Sequence, residues 1–185
     1  MQLDKVVMKM GKLYLKGGKS TVTSLFGELE FCDDQETLLY YSKLTEFMPA
    51  LGCHASSIAM RDKYRVFAAN GIPLAEVTRN KKKVMPEFEA RLIEADDFIS
   101  TVKKRLSIIK LPIEMTTKTG KCLIEGNVFK KNFHVADADG TALFSIKKAD
   151  VPWGEASVIE FNDTLADYTV ATMVLAIESA YHTGN

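Results

Sequence analysis

Three clusters of cationic side chains carry the clearest ligand chemistry in this chain: Lys81, Lys82 and Lys83; Lys103, Lys104 and Arg105; Lys147 and Lys148. Each cluster follows a strand-like run, and a proline comes soon after it: Pro86, Pro112 and Pro152. A fourth run from Tyr41 through "SKLTEFMP" to Pro49 has the same form. Ammonium and guanidinium groups gathered on one rim attract phosphate oxygens, each worth about 1 kcal/mol near an anionic membrane. Equivalent strands of a repeated hairpin run the same way, so their basic ends would meet on one rim. Strand ends also carry lysine for solubility and to block edge pairing. Both readings stay open from the residues alone.

Other chemistry finds no support. "GGKST" at residues 17–21 lacks the glycine a phosphate-binding loop needs, because position 13 is Leu13, and "TVTSLFGELEF" reads as strand rather than helix. His54, His134 and His182 are scattered, and Cys53-His54 have no zinc-ligand spacing. "DADG" at residues 137–140 lacks the later ligands of a calcium loop and reads as a turn. No nucleophile, base and orienting group can be assembled. The expectation is a non-enzyme with no cofactor and no metal.

The elements that would position the clusters are β-hairpins. "YRVFAANGIPLAEVTRN" from Tyr64 aligns with "FHVADADGTALFSIKKA" from Phe133: Val66 with Val135, Asn70 with Asp139, Gly71 with Gly140, Leu74 with Leu143, Val77 with Ile146. Asn-Gly and Asp-Gly predict two-residue type I′ turns, with positive φ at both central residues. Repetition at this scale signals a sheet of repeated hairpins. Residues 88–110 fit a helix by the spacing of Leu92, Ala95, Ile99, Val102, Leu106 and Ile109. Their β-branched content, with "EADD" as a turn, favours a strand pair.

The chain ends differently. Residues 168–177 contain no charge. The run is half the roughly 20 residues of a membrane span. Leu165, Tyr168, Val170, Met173, Val174, Leu175 and Ile177 point in nearly all directions around a helix, so protein must surround it. Thr164 followed by Asp167 predicts the N-cap, His182 and Gly184 mark the end, and Asp167 and Glu178 are expected to reach water. About a dozen short strands need closure to hide their edges. A hollow closed sheet needs filling. The expectation is one domain over residues 1–185, mainly β: a closed antiparallel barrel of about twelve strands around a central apolar helix at about 164–182.

Bulk composition agrees with a globular domain. Hydrophobic residues make 46% and charged residues 26%; Lys+Arg and Asp+Glu are both 24. Zero net charge argues against a nucleic-acid partner. Three cysteines, Cys32, Cys53 and Cys122, form no disulfide framework, which with no recognisable signal peptide gives a cytoplasmic expectation.

"IEGNVFKKNFHVADADGTALFSIKKA" from Ile124 and "DTLADYTVATMVLAIES" resemble the LURP-one-related family, grouped with tubby C-terminal domains and phospholipid scramblases. The shared pattern is Ile-x-Gly, an aromatic strand, Asp-x-x-Gly, an aliphatic strand with a lysine pair, and a closing apolar helix. The resemblance covers most of the chain and is weaker before Ile58. It implies a twelve-stranded barrel around a helix. Tubby domains bind phosphoinositide headgroups through basic residues, which implies a non-catalytic module for anionic phospholipid or another phosphorylated ligand, peripheral to a membrane. The alternative is a scaffold or regulatory protein holding a protein partner, with Met48 or Trp153 as anchor. An enzyme at a barrel mouth is a third class.

Overall fold

The computed structural model describes residues 10–16, 28–48, 60–83, 85–105, 113–128 and 130–182. The "GGKST" stretch, Cys53, His54, Pro49, Pro112, Gly184 and the side chains of Met48 and His182 lie outside the described residues.

The strands are β1 (Met10–Lys16), β2 (Glu30–Cys32), β3 (Leu38–Met48), β4 (Met60–Ala68), β5 (Pro73–Arg79), β6 (Glu87–Leu92), β7 (Phe98–Lys104), β8 (Ile113–Thr117), β9 (Gly120–Lys121), β10 (Leu123–Asn127), β11 (Asn132–Ala136), β12 (Ala142–Val151) and β13 (Gly154–Asn162). One helix, α1 (Asp167–His182), follows. Of residues 88–110, open between helix and strand, those up to Arg105 contribute β6 and β7, so the β-branched content outweighs the helical spacing there; Leu106 and Ile109 lie outside the described residues.

The thirteen strands among the described residues belong to one antiparallel sheet, ordered β10-β11-β12-β13-β1-β2-β3-β4-β5-β6-β7-β8-β9. Its two outermost strands, β9 and β10, are consecutive in the chain and separated only by Cys122. The Cys122 N–H donates to the Met115 carbonyl at 2.9 Å, and β10 lies against β8. The sheet therefore curls into a nearly closed barrel whose seam is a bent continuous strand. Closure removes the edges that thirteen short strands would otherwise expose.

The inner face is read directly from alternation. Ala75 and Val77 in β5, Phe88 and Ala90 in β6, and Phe144 and Ile146 in β12 are buried at every second position. Helix α1 packs against β5, β6, β7 and β8 and touches β1, β3 and β4. Every residue from 170 to 180 is buried. Glu178, expected to reach water, is only 8% exposed, because the barrel still encloses the helix at this turn, as it does every residue from 170 to 180. The N-terminus also differs. The helix starts at Asp167, where the Ala166 carbonyl accepts from Thr169 N–H at 3.0 Å and Val170 N–H at 3.2 Å. Thr164 is not the cap; its N–H donates to Asn162 Oδ1 at 3.1 Å within the preceding turn.

The paired hairpins match in detail but not in the expected turn type. Gly71 N–H donates to Ala68 O at 2.8 Å, and Gly140 N–H to Asp137 O at 3.1 Å. Only the glycines have positive φ, +87° and +89°; Asn70 and Asp139 do not. Both are therefore three-residue loops: a type I turn, then a left-handed glycine that forms a bulge. Register shifts at Val66/Phe67 and Val135/Ala136 mark a second irregularity further along each ladder, where Leu74 and Leu143 are left unpaired in it. The β10–β11 loop has the same turn hydrogen bond, Lys131 N–H to Val128 O at 3.0 Å, with Lys131 at φ 49°. A left-handed non-glycine residue costs about 1–2 kcal/mol. Lys131→Gly is therefore expected to raise stability by about 1 kcal/mol in urea melts. Gly140→Val, with nothing within 4 Å of its added Cβ, should lower it by about 1–2 kcal/mol from backbone strain alone. The exposed neighbouring change Ala138→Val is expected to stay within about 0.5 kcal/mol.

Candidate functional site

Because every neighbour in the sheet is antiparallel, β3, β5, β7 and β12 run in one sense and their carboxyl ends share one edge of the barrel. The helix runs the same way. Asp167, at its start, hydrogen-bonds Tyr40 near the beginning of β3; burial, then this bond, pushes the Tyr40 phenol above its ordinary value. At the other end Lys104 Nζ donates to the Tyr181 carbonyl at 3.3 Å. A cation on the last carbonyls complements the negative pole of the helix.

The sequence-selected cations distribute unevenly along that edge. Lys81, Lys82 and Lys83 are exposed in the β5–β6 loop. Asn80 fixes this loop: its N–H donates to Glu87 O at 2.8 Å, its Oδ1 accepts from Lys82 N–H at 3.1 Å and its carbonyl from Lys83 N–H at 3.2 Å. Lys103, Lys104 and Arg105 end β7, beside that loop, because Glu87 lies opposite Lys103. Lys147 and Lys148 lie within β12 rather than at its exit, and the strand continues to Val151.

Carboxylates take several of these charges, which cross-strand pairing rather than sequence proximity decides. Lys103 Nζ lies 3.3 Å from Glu87 Oε2, Arg105 Nη2 2.5 Å from Glu114 Oε2, and Lys147 Nζ 3.8 Å from Glu160 Oε2. Burial alone would raise Glu87, yet the Asn80 and Lys103 hydrogen bonds hold it below the ordinary carboxylate range. Glu114 is held low by its hydrogen bond to Lys121 and by Arg105. Asp96 is occupied elsewhere, 3.3 Å from Arg91. The eight residues therefore do not form one uninterrupted positive surface. Among the described residues, Lys82, Lys83 and Lys148 are the exposed members of the set with no carboxylate within 4 Å.

The remaining candidates resolve as structure. His134 is exposed on the face opposite buried Phe133 and Val135, with Nε2 3.0 Å from Glu125 Oε2. Asp137 Oδ1 accepts from Asp139 and Thr141 N–H, and Asp139 Oδ1 from Thr141 N–H at 2.8 Å, so both carboxylates close the turn. Cys32 and Cys122 are buried free thiols, and burial pushes both up, away from thiolate reactivity. Trp153, in the β12–β13 turn, is half-buried and meets the Tyr14 ring edge-on at 6.3 Å. Among the described residues no three His, Cys, Asp or Glu side chains are placed to hold a metal, and no helix is long and apolar enough to cross a membrane.

A family model described as LURP-one-related matches residues 45–176. The chain belongs to that family. The match takes in the strands from late β3 through β13 and the first part of the helix of this LURP-one-related protein. The X-ray structure of an Arabidopsis thaliana protein is similar over 95% of this chain and 93% of that one, with a TM-score of 0.59 and 14% sequence identity. That likeness establishes the shared barrel. A search of curated proteins found no match.

Proposed function

We propose that this LURP-one-related protein is a non-catalytic binding module whose basic end docks on anionic phospholipid headgroups. What supports the reading is the sharing of one barrel edge by the carboxyl ends of β5, β7 and β12, with Lys82 and Lys83 exposed in the β5–β6 loop, Lys148 exposed within β12 before its end at Val151, and none of the three with a carboxylate within 4 Å among the described residues. The β5–β6 loop presents its lysines from a hydrogen-bonded frame, so little ordering is needed on contact. Lysines already paired with Glu87 and Glu160 contribute less, since a headgroup would have to displace a carboxylate.

The test is co-sedimentation with phosphatidylcholine vesicles, with and without phosphatidylserine, at rising salt. Binding should need the anionic lipid and fade as the screening length falls toward about 8 Å at physiological ionic strength. Each charge reversal removes about 1 kcal/mol of attraction and adds a similar repulsion. The Lys82→Glu/Lys148→Glu double variant should therefore bind roughly a thousandfold more weakly. Its melting temperature should barely move, because exposed charges contribute little to stability. Wild-type protein that ignores anionic vesicles at low salt would remove the proposal.

A further inference from the structure

Arg79 is the last residue of β5. Ala75 and Val77, both 0% exposed, set the inner face of that strand, and alternation brings Arg79 to the same face at the barrel mouth. It stands opposite Phe88, which is also fully buried. Its Nη1 is shielded from solvent and has no hydrogen-bond partner. The other arginines with described side chains each have a carboxylate within 4 Å: Arg65 has Glu76, Arg91 has Glu89 and Asp96, and Arg105 has Glu114, although Arg65 Nε also makes no hydrogen bond. Arg79 has no carboxylate within 4 Å among the described residues.

A guanidinium with a shielded, unmatched donor is an unfinished site, since buried donors are almost always satisfied. Its surroundings select the chemistry of the missing acceptor. Lys81, Lys82 and Lys83 follow Arg79 after one residue. Lys104 shares the inner face at the same edge, where Phe88 stands opposite Val102 and Lys104 lies two residues on. Two strand spacings place it roughly 10 Å across from Arg79. A planar donor fork among further cations fits a phosphate group better than a single carboxylate. We propose that Arg79 anchors a phosphate-binding subsite at the mouth of the barrel, which rests on and deepens the reading of this end as a phospholipid-docking surface. The phosphate is either that of a lipid monoester headgroup or a free phosphate.

The test uses the full chain, with inorganic phosphate against chloride at equal ionic strength, and phosphatidylcholine vesicles carrying phosphatidic acid. The wild-type melting temperature should rise with phosphate. Arg79→Met should melt above wild type without phosphate, because the unmatched donor is gone, and should lose the phosphate-dependent rise. Arg79→Lys keeps the charge without the fork and should bind phosphate about tenfold more weakly. An Arg79→Met protein that responds to phosphate as wild type does, or that melts below wild type without it, overturns the subsite. If Arg79→Met and Arg79→Lys respond to phosphate as wild type does and bind vesicles normally while Lys82→Glu/Lys148→Glu does not, the subsite falls and the docking surface stands. If wild type responds to phosphate through Arg79 yet ignores every vesicle, the subsite takes free phosphate and the docking surface falls.

Discussion

Leu175→Asp and Met173→Asp are expected to yield insoluble chains with no cooperative melt. Leu175 is 1% and Met173 4% exposed, within a helix buried at every position from 170 to 180. Truncating a buried leucine or methionine costs about 2–5 kcal/mol. The new carboxyl adds several more, because Leu175 is surrounded by buried apolar side chains and a charge there has no partner. The sum matches the whole stability of a typical domain, about 5–15 kcal/mol. The damage is not local, since α1 contacts seven strands of the sheet and fills the space they enclose. Leu175→Met conserves volume and should cost less than about 1.5 kcal/mol, which separates loss of packing from intolerance of any change. Solubility with cooperative thermal unfolding in both aspartate variants would contradict a helix held inside the barrel.

That helix was legible in the sequence for a simple reason. Apolar residues on all sides of a helix have only one outcome in a chain without a membrane-length run: enclosure by protein. Period-two burial was equally legible, and it outweighed the helical spacing of residues 88–110 because β-branched residues there pack on both faces of strands. The finer features depended on geometry that spacing does not encode. Asn-Gly and Asp-Gly suit both type I′ turns and the glycine bulge, and the structure has the bulge, with Ala68 N–H donating to Ile72 O and Asp137 N–H to Thr141 O across three-residue loops. Glu178 looked solvent-facing because its place near the helix end was visible but the depth of enclosure, which buries every residue from 170 to 180, was not. The candidate site was legible only as composition. Lys103, Arg105 and Lys147 meet carboxylates from neighbouring strands, at positions fixed by register. Arg79 was missed because attention fell on runs of charge. The signal was a lone arginine in phase with Ala75 and Val77, on the apolar face of a strand.

Gly126→Ala should destabilise the protein by roughly 2–6 kcal/mol, more than any other Gly→Ala change at a turn glycine. Gly126 is the glycine of the Ile-x-Gly pattern, in β10 opposite Phe133, at φ +110°. An alanine there is strained whatever the space available. Its Cβ would also lie 2.7 Å from Phe133 Cα and collide with the Asn132 carbonyl oxygen. Both obstacles are backbone, so no side chain can turn aside, and β10 and β11 must separate. Gly140→Ala provides the contrast, because φ is similarly positive at +89° but nothing lies within 4 Å of the added Cβ. That change should cost only the conformational part, about 1–2 kcal/mol. The excess at Gly126 measures the close backbone approach itself. Its position explains why that approach matters: β10 is the strand that continues from β9 through Cys122 and joins the two ends of the sheet order. Forcing β10 from β11 strains the seam where the barrel closes. Urea melts of the two variants should rank Gly126→Ala well below Gly140→Ala, and hydrogen exchange should show faster opening at Ile124 and Val135, which are paired across that seam strand. Equal stability of the two variants would mean that the glycine serves only the turn, and that barrel closure tolerates a wider gap between β10 and β11.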